Sequence, residues 1–348
     1  MVSVLAIAGC GGSARSHLRS HSGPHGAGAA IAARSRHRYA PRNRSSRLQA
    51  IVTAPSEDRV LIVDVPSGRV AREVKVPGEP EYAAIGANGI VVVSPASRTV
   101  TLLDRNSLRP IKSFRGFASP HIVAVSPDDE YAYLSDDQTG KLTVINLYNE
   151  RVTARISVGA GAHHLAFSPG QQQAWVVLGQ AASTVATLST VVESPPPPLS
   201  RIENPAHPHL TGRFEPGFLA HDVRFAPDGK RVWITSADTQ YAGVFSARTH
   251  RLLFRVPAGP PPQHVAFDRG YAYLTSGYGS QIEEVAPNGR IIRTTHAPYG
   301  SFDVAAADGF VVTVSLFGGT LAIYNRHLHL LNLRHLTQSS EDVVLAER

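Results

Sequence analysis

One phrase recurs along this chain, and its clearest copy spans residues 118–160, ASPHIVAVSPDDEYAYLSDDQTGKLTVINLYNERVTARISVGA. It contains four short strand patterns, each closed by a turn. His121 to Val125 carries an apolar run and is broken by Ser126-Pro127-Asp128-Asp129, where Pro presets φ and Asp bonds its own backbone. Tyr131 to Leu134 is a second strand, turned by Asp136 to Gly140. Leu142 to Leu147 is a third, with period-two alternation at its start and end, and Val152 to Val158 is the fourth. Four antiparallel strands in roughly 40 residues, repeated, specify a β-propeller blade.

Further copies run over about 80–117, 161–214, 215–260, 261–298 and 299–340, opening on EYAAIGANG, HHLAFSPGQ, HDVRFAPDG, QHVAFDRG and FDVAAADG. The first unit, 48–79, has only three strands: Ala50–Thr53, Val60–Val65 and Val70–Val76. The chain closes on Glu341-Asp342-Val343-Val344-Leu345, a copy of the opening strand standing alone. The two incomplete pieces make one blade. The sequence therefore predicts an all-β fold over residues 47–348: a seven-bladed β-propeller of four-stranded antiparallel blades, of the WD40-like kind. Asp342–Leu345 is expected to pair with Ala50–Thr53, which removes the edges a linear array would leave open. One unit carries an insertion, VESPPPPLSRIENPAHP, whose successive prolines cannot donate ladder bonds; it reads as an extended loop between outer strands.

The formal net charge is +7, yet residues 1–47 hold eight arginines and no acid, which leaves −1 for the rest. The basicity belongs to the N-terminal segment, so the high pI is no argument for a nucleic-acid partner, and none is expected. Residues 11–46 read as a basic flexible linker. Residues 1–10, MVSVLAIAGC, resemble the remnant of an export or lipoprotein signal, with Cys10 as the lipidation site; no basic residue precedes the apolar run, which is short. Gly9 to Ala14 also fits G-x-G-x-x-A, but no helix pattern follows and the first acid is Glu57, far beyond the offset a ribose contact needs. Cys10 is the only cysteine, which excludes disulfides, cysteine metal sites and C-x-x-C-H haem attachment in the propeller. No window reaches the roughly 18 apolar residues of a membrane span.

The segments PHIVAVSPDDEYAYLSDDQTGKLTVINLYNERVTARISVG and AHDVRFAPDGKRVWITS resemble the YVTN family of bacterial β-propeller repeats. Asp129 stands where that family usually has Gly, and the match is looser over 261–340. The resemblance implies an exported or surface-attached repeat protein, in most cases without an assigned activity. Streptogramin-type lyases are broadly similar propellers, but no motif of theirs matches residue by residue.

The candidate site is positional. At the start of successive innermost strands stand His121, His163, His164, His221, Asp222, His264 and Asp303, joined by Glu81, Glu341 and Asp342. In a propeller these positions converge on the mouth of the channel. Imidazoles and carboxylates gathered there could bind a ligand, hold a divalent metal, or act as acid and base. The structural alternative is that each histidine caps a neighbouring blade's backbone. Tyr278 and Phe317, on glycine-rich loops, are expected to flank the mouth, and Trp175 and Trp233 to pack between blades. There is no P-loop, H-E-x-x-H or G-x-S-x-G. The sequence thus predicts an extracytoplasmic, membrane-anchored or secreted monomer. It binds a protein partner or small ligand at the channel mouth, without catalysis and without a resident cofactor. The alternative is a metal-assisted lyase or hydrolase built on the histidine ring.

Overall fold

The structure, a computed structural model, describes residues 48–86, 88–170, 172–179, 183–190, 208–259 and 261–347. The expected Cys10 lipidation site, the basic linker and all but the last residue of the proline insertion lie outside the described residues. One compact unit covers Ser45–Arg348.

Its strands form seven four-stranded antiparallel sheets, and one 3-10 turn at Pro55–Glu57 is the only helical element among the described residues. We number the blades from Tyr82. The innermost strands of blades 1 to 6 are Tyr82–Gly86, Pro120–Val125, Ala162–Phe167, Ala220–Phe225, Val265–Asp268 and Ser301–Ala307. Blade 7 is composite. Its innermost strand, Val343–Glu347, pairs antiparallel with Leu48–Ala54 in the register Val52–Val343, Ile51–Val344, Ala50–Leu345. The N–H of Thr53 also donates to the carbonyl of Asp342 at 3.1 Å. The closure is the one the sequence predicts.

The middle strands read as continuous apolar runs because neighbouring blades cover both of their faces. Gly89–Ser94 and Tyr131–Asp136 are buried along their whole length. Outer strands such as Arg69–Lys75 face solvent and carry the charge. Trp175 and Trp233 fill the blade boundaries: Trp175 meets Phe225 of blade 4 at 5.5 Å between ring centroids, and Trp233 meets Phe267 of blade 5 at 5.8 Å. The Ser126-Pro127-Asp128 and Ala226-Pro227-Asp228 turns need a left-handed residue at their end. Gly229 supplies it with φ of 64°, and Asp129 adopts the same conformation with φ of 61°. Asp is among the few residues that visit this conformation readily, and the neighbouring Asp128 Oδ1 holds the turn by accepting Ser126 Oγ–H and the N–H of Glu130.

One departure from regular pairing positions the site. In blade 4, Ala220 pairs with Ser236 and Val223 with Ile234, so His221 and Asp222 together oppose Thr235. The same β-bulge falls at His121-Ile122, His163-His164 and Phe302-Asp303. A bulge leaves two residues facing one and re-aims their side chains. Hydroxyls stabilise it: Thr235 Oγ1 accepts the N–H of Asp222 at 2.9 Å and donates to the carbonyl of Gln263 at 2.6 Å, and Ser135 Oγ accepts the N–H of Ile122 at 3.0 Å.

Candidate functional site: a histidine cluster at the channel mouth

Each innermost strand opens with two site positions. The first is held in blade order by Glu81, His121, His163, His221, Gln263, Phe302 and Glu341. The second is held by Tyr82, Ile122, His164, Asp222, His264, Asp303 and Asp342, and all seven of these are buried. Nitrogen donors are concentrated in blades 2 to 5, oxygen donors in blades 6, 7 and 1.

The five histidines pack into one cluster. His121 and His163 stack at 3.8 Å between centroids with 13° between planes. His164 lies at the centre, with His163 and His264 at 4.8 Å, His221 at 5.0 Å and His121 at 5.4 Å. Tyr82 closes one side, 4.8 Å from His121. Carboxylates orient the rings from behind. Asp137 Oδ2 lies 3.0 Å from His163 Nδ1, and Asp303 Oδ1 lies 3.1 Å from His264 Nδ1. Asp222 is shared: Oδ1 is 3.3 Å from His164 Nδ1, and Oδ2 is 3.9 Å from His264 Nδ1 and 3.2 Å from Arg224 Nε.

Capping of the next blade falls to the carboxylates, not the imidazoles. Asp303 Oδ2 accepts the N–H of Val343, and Asp342 Oδ2 accepts the N–H of Ala83, both at 2.8 Å. The imidazoles are thereby spared that task. Nε2 of His164 and Nε2 of His121 are buried without a hydrogen-bond partner, and Nδ1 of His164 faces only Asp222 Oδ1 at 3.3 Å. Buried polar atoms are rarely left so.

Electrostatics divides the cluster. Burial, reinforced by the neighbouring imidazoles, pushes His121, His164 and His221 well below their ordinary value, so they are neutral near pH 7 and carry lone pairs. Burial also opposes the charge on His264, but Asp222 and Asp303 outweigh it and raise that imidazole. On the acidic side, burial and the charge of Asp303 push Asp342 well up, and burial with Glu81 lifts Glu341 to about 7.

Two further features adjoin the cluster, a cavity with Arg224 that the sequence did not point to and a rim shelf that adds Tyr299 and Phe302 to the expected Tyr278 and Phe317. Below the cluster the channel opens into a cavity of about 520 Å³, lined by Ala84, Ala124, Ala266, Ala305 and Val344, with Arg224 at the equivalent position of blade 4. On the rim, Phe302 packs edge-on against Tyr278 at 5.0 Å and Phe317 at 5.5 Å, and Tyr299 stacks on Phe317 at 5.2 Å. Tyr278, Tyr299 and Phe317 are each more than half exposed, and they form an aromatic shelf beside the mouth. A Cβ on Gly277 would strike Phe302, and one on Gly300 would strike Phe317, so the shelf needs glycine at both places.

Residues 86–186, which include His121, His163 and His164, match the cytochrome D1 heme domain family. Over 105 residues the chain is 31% identical to dihydro-heme d1 dehydrogenase of Pseudomonas aeruginosa, a stretch that is 30% of this chain. The matched stretch spans about a fifth (21%) of the length of that relative. Among solved structures, the fold is similar to a functionally unknown protein from Desulfotomaculum acetoxidans DSM 771, with a TM-score of 0.74 and 14% identity, covering 86% of this chain and 99% of that one. It is also similar to the dihydro-heme d1 dehydrogenase NirN in complex with DHE, with a TM-score of 0.61 and 13% identity, covering 89% of this chain and 77% of that one. At these identities the solved structures establish the β-propeller and nothing more. No helix among the described residues is long and apolar enough to cross a membrane.

Proposed function

We propose that this chain is an exported β-propeller that binds a metal-bearing small ligand at the histidine end of its channel. The observation that carries the reading is His164, whose ring is buried amid four other imidazoles with Nε2 unpartnered and Nδ1 facing only the Asp222 carboxylate at 3.3 Å. Leaving a buried polar group unpaired costs about 1–3 kcal/mol, and a metal that takes the lone pairs removes that cost. An all-imidazole donor set suits zinc, copper, iron or nickel, and carboxylates behind His163 and His264 fix ring orientation as outer partners of metal-bound histidines do. We read the site as one for capture and not turnover. Cys10 and the resemblance to YVTN repeats support export and a lipid tether, with residues 11–46 as the linker.

A second reading is that the metal arrives inside a tetrapyrrole. It is favoured by the aromatic shelf, which offers flat apolar surface, and by the cytochrome D1 heme domain match over the segment holding three of the histidines. The donor chemistry fits, since imidazole is a common axial ligand of haem iron. The rings are packed too closely to admit a macrocycle among them, so the half-buried His121, His163 and His221 at the rim are the residues that would hold it.

The test uses full-length protein stripped with a chelator, then offered Zn(II), Cu(II) or Fe(II) ions, and separately haem b. Ions retained through gel filtration by the parent and lost by His164→Ala support the first reading. A shifted Soret band that depends on His163 or His221 supports the second. Retention of neither ligand overturns both.

A further inference from the structure

Within the five-histidine cluster the possible ligand atoms fall into two overlapping sets. Two sets of three have ligand atoms within 4.8 Å of one another: His121, His163 and His164, and His164, His221 and His264. The sets share only His164. His121 makes ring contacts with Tyr82, His163 and His164, whereas His264 makes them with His164 and His221. His164 therefore stands between a pair from blades 2 and 3 and a pair from blades 4 and 5.

We propose that the mouth holds two metal ions, bridged by the His164 imidazole, and not one. This rests on the metal-binding reading above and adds the number of ions and the way they are joined. Three observations carry it. Both ring nitrogens of His164 are buried, neither makes a hydrogen bond to the backbone, and Nδ1 faces only a carboxylate oxygen, so a donor is available on each side of its ring. Each flanking pair has one ring held through Nδ1 by its own carboxylate, His163 by Asp137 and His264 by Asp303, which leaves Nε2 of each as the donor. Asp222 Oδ1, itself unpartnered, lies 3.3 Å from His164 Nδ1.

The proton balance follows. A neutral imidazole has one lone pair and one N–H. The first ion takes the lone pair. The second takes the other nitrogen, whose proton must leave; Asp222 is the nearest base to accept it and pass it to water. The bridge becomes an imidazolate between two divalent cations, and no redox step is involved. Zinc and copper are the ions whose preferences fit nitrogen donors in this number.

The experiment measures copper and zinc per chain after equilibrium dialysis. It uses full-length protein in which His17, His21, His25 and His37 of the N-terminal segment are replaced by Ala, so that these do not count. Two ions per chain are expected. The integrated Cu(II) paramagnetic resonance signal should fall well below the bound copper, because an imidazolate couples the two spins. His121→Ala and His264→Ala, on opposite sides of the bridge, should each bind one copper and restore a full signal. These two variants keep the test decisive even where His164→Ala fails to fold. One ion per chain in the parent, or two with a full uncoupled signal, overturns the bridged pair and leaves the metal-binding reading standing. No ion at all overturns both.

Discussion

Asp303 Oδ1 lies 3.1 Å from His264 Nδ1 across the boundary between blades 5 and 6, while Oδ2 of the same carboxylate accepts the N–H of Val343 in blade 7. One side chain ties three blades at the channel axis. Burial alone would raise Asp303, but the bond and charge of His264 and the Val343 N–H hold it down to about 2. Its stabilising contribution is therefore present above the ordinary carboxylate range and lost as the pH falls toward 2. Asp303→Ala strands a buried cation and a backbone N–H together. We expect a loss of about 3–5 kcal/mol, read from urea unfolding at pH 7. Asp303→Asn keeps an acceptor for Val343 and should lose distinctly less.

Three imidazoles of the cluster act in the same direction as Asp303. His121, His164 and His221 are depressed below 6.5, so under acid conditions the unfolded chain takes up protons that the fold refuses. Stability then falls with pH below 6.5, by up to about 1.4 kcal/mol per pH unit for each group. His264, raised, contributes stability below 6.5 that is lost as pH rises through its folded value. The combined contribution of His121, His164 and His221 should be fullest above pH 6.5 and be lost on acidification. His121→Phe should make that acid slope shallower. A slope that is unchanged would contradict the burial of His121 as a neutral ring.

A lone carboxyl in blade 5 offers a cleaner case. Glu283 is buried, and its Oε1 accepts a hydrogen bond from Gln281 Nε2 at 3.0 Å. Burial pushes it up to about 7, against a smaller opposing bond from the N–H of Gly259. A raised carboxyl favours the fold at low pH and penalises it as pH rises from 4.5 through 7. Glu283→Gln should be more stable than the parent at pH 8, by on the order of 2 kcal/mol, and nearly equal to it at pH 4. Denaturant midpoints at the two pH values check both the size and the sign.

Ring closure rests on a single strand. Truncation after Asp342 removes Val343–Glu347, strips Leu48–Ala54 of its inner partner and removes the N–H that Asp303 holds. We expect an opened ring that exposes a hydrogen-bonding edge and associates with copies of itself. Light scattering across a concentration series should show growth in size for the truncated chain and none for the parent.

The blade count, the composite seventh blade and the closing register were legible because turn residues and strand period repeat on a fixed phrase. The convergence of His121, His163, His164, His221 and His264 was legible from the same alignment of phrases. The bulge was not, since it depends on how many residues face Thr235 or Ser135 across the ladder. Without the bulge, histidine capping of the backbone remained an open alternative; the structure gives that task to Asp303 and Asp342. Tyr82 and Arg224 were overlooked although signals existed. Tyr82 is in phrase with His164, and Arg224 is the one charged residue in phrase with Ala84, Ala124, Ala166, Ala266, Ala305 and Val344. Tyr299 and Phe302 join Tyr278 and Phe317 only through loop geometry, which glycine-rich sequence does not specify.

A ring of seven like units would offer a ligand seven equivalent poses. Here basic rings line one arc of the rim and carboxylic groups the other, so the scaffold's rotational near-symmetry is cancelled where a ligand meets it. An incoming molecule with a soft, electron-accepting end and a proton-bearing end has one azimuth at which both are matched. On the metal-binding reading proposed above, the mouth would act as a keyed socket: half a turn of the guest would set its metal against carboxylates and its acid against imidazoles.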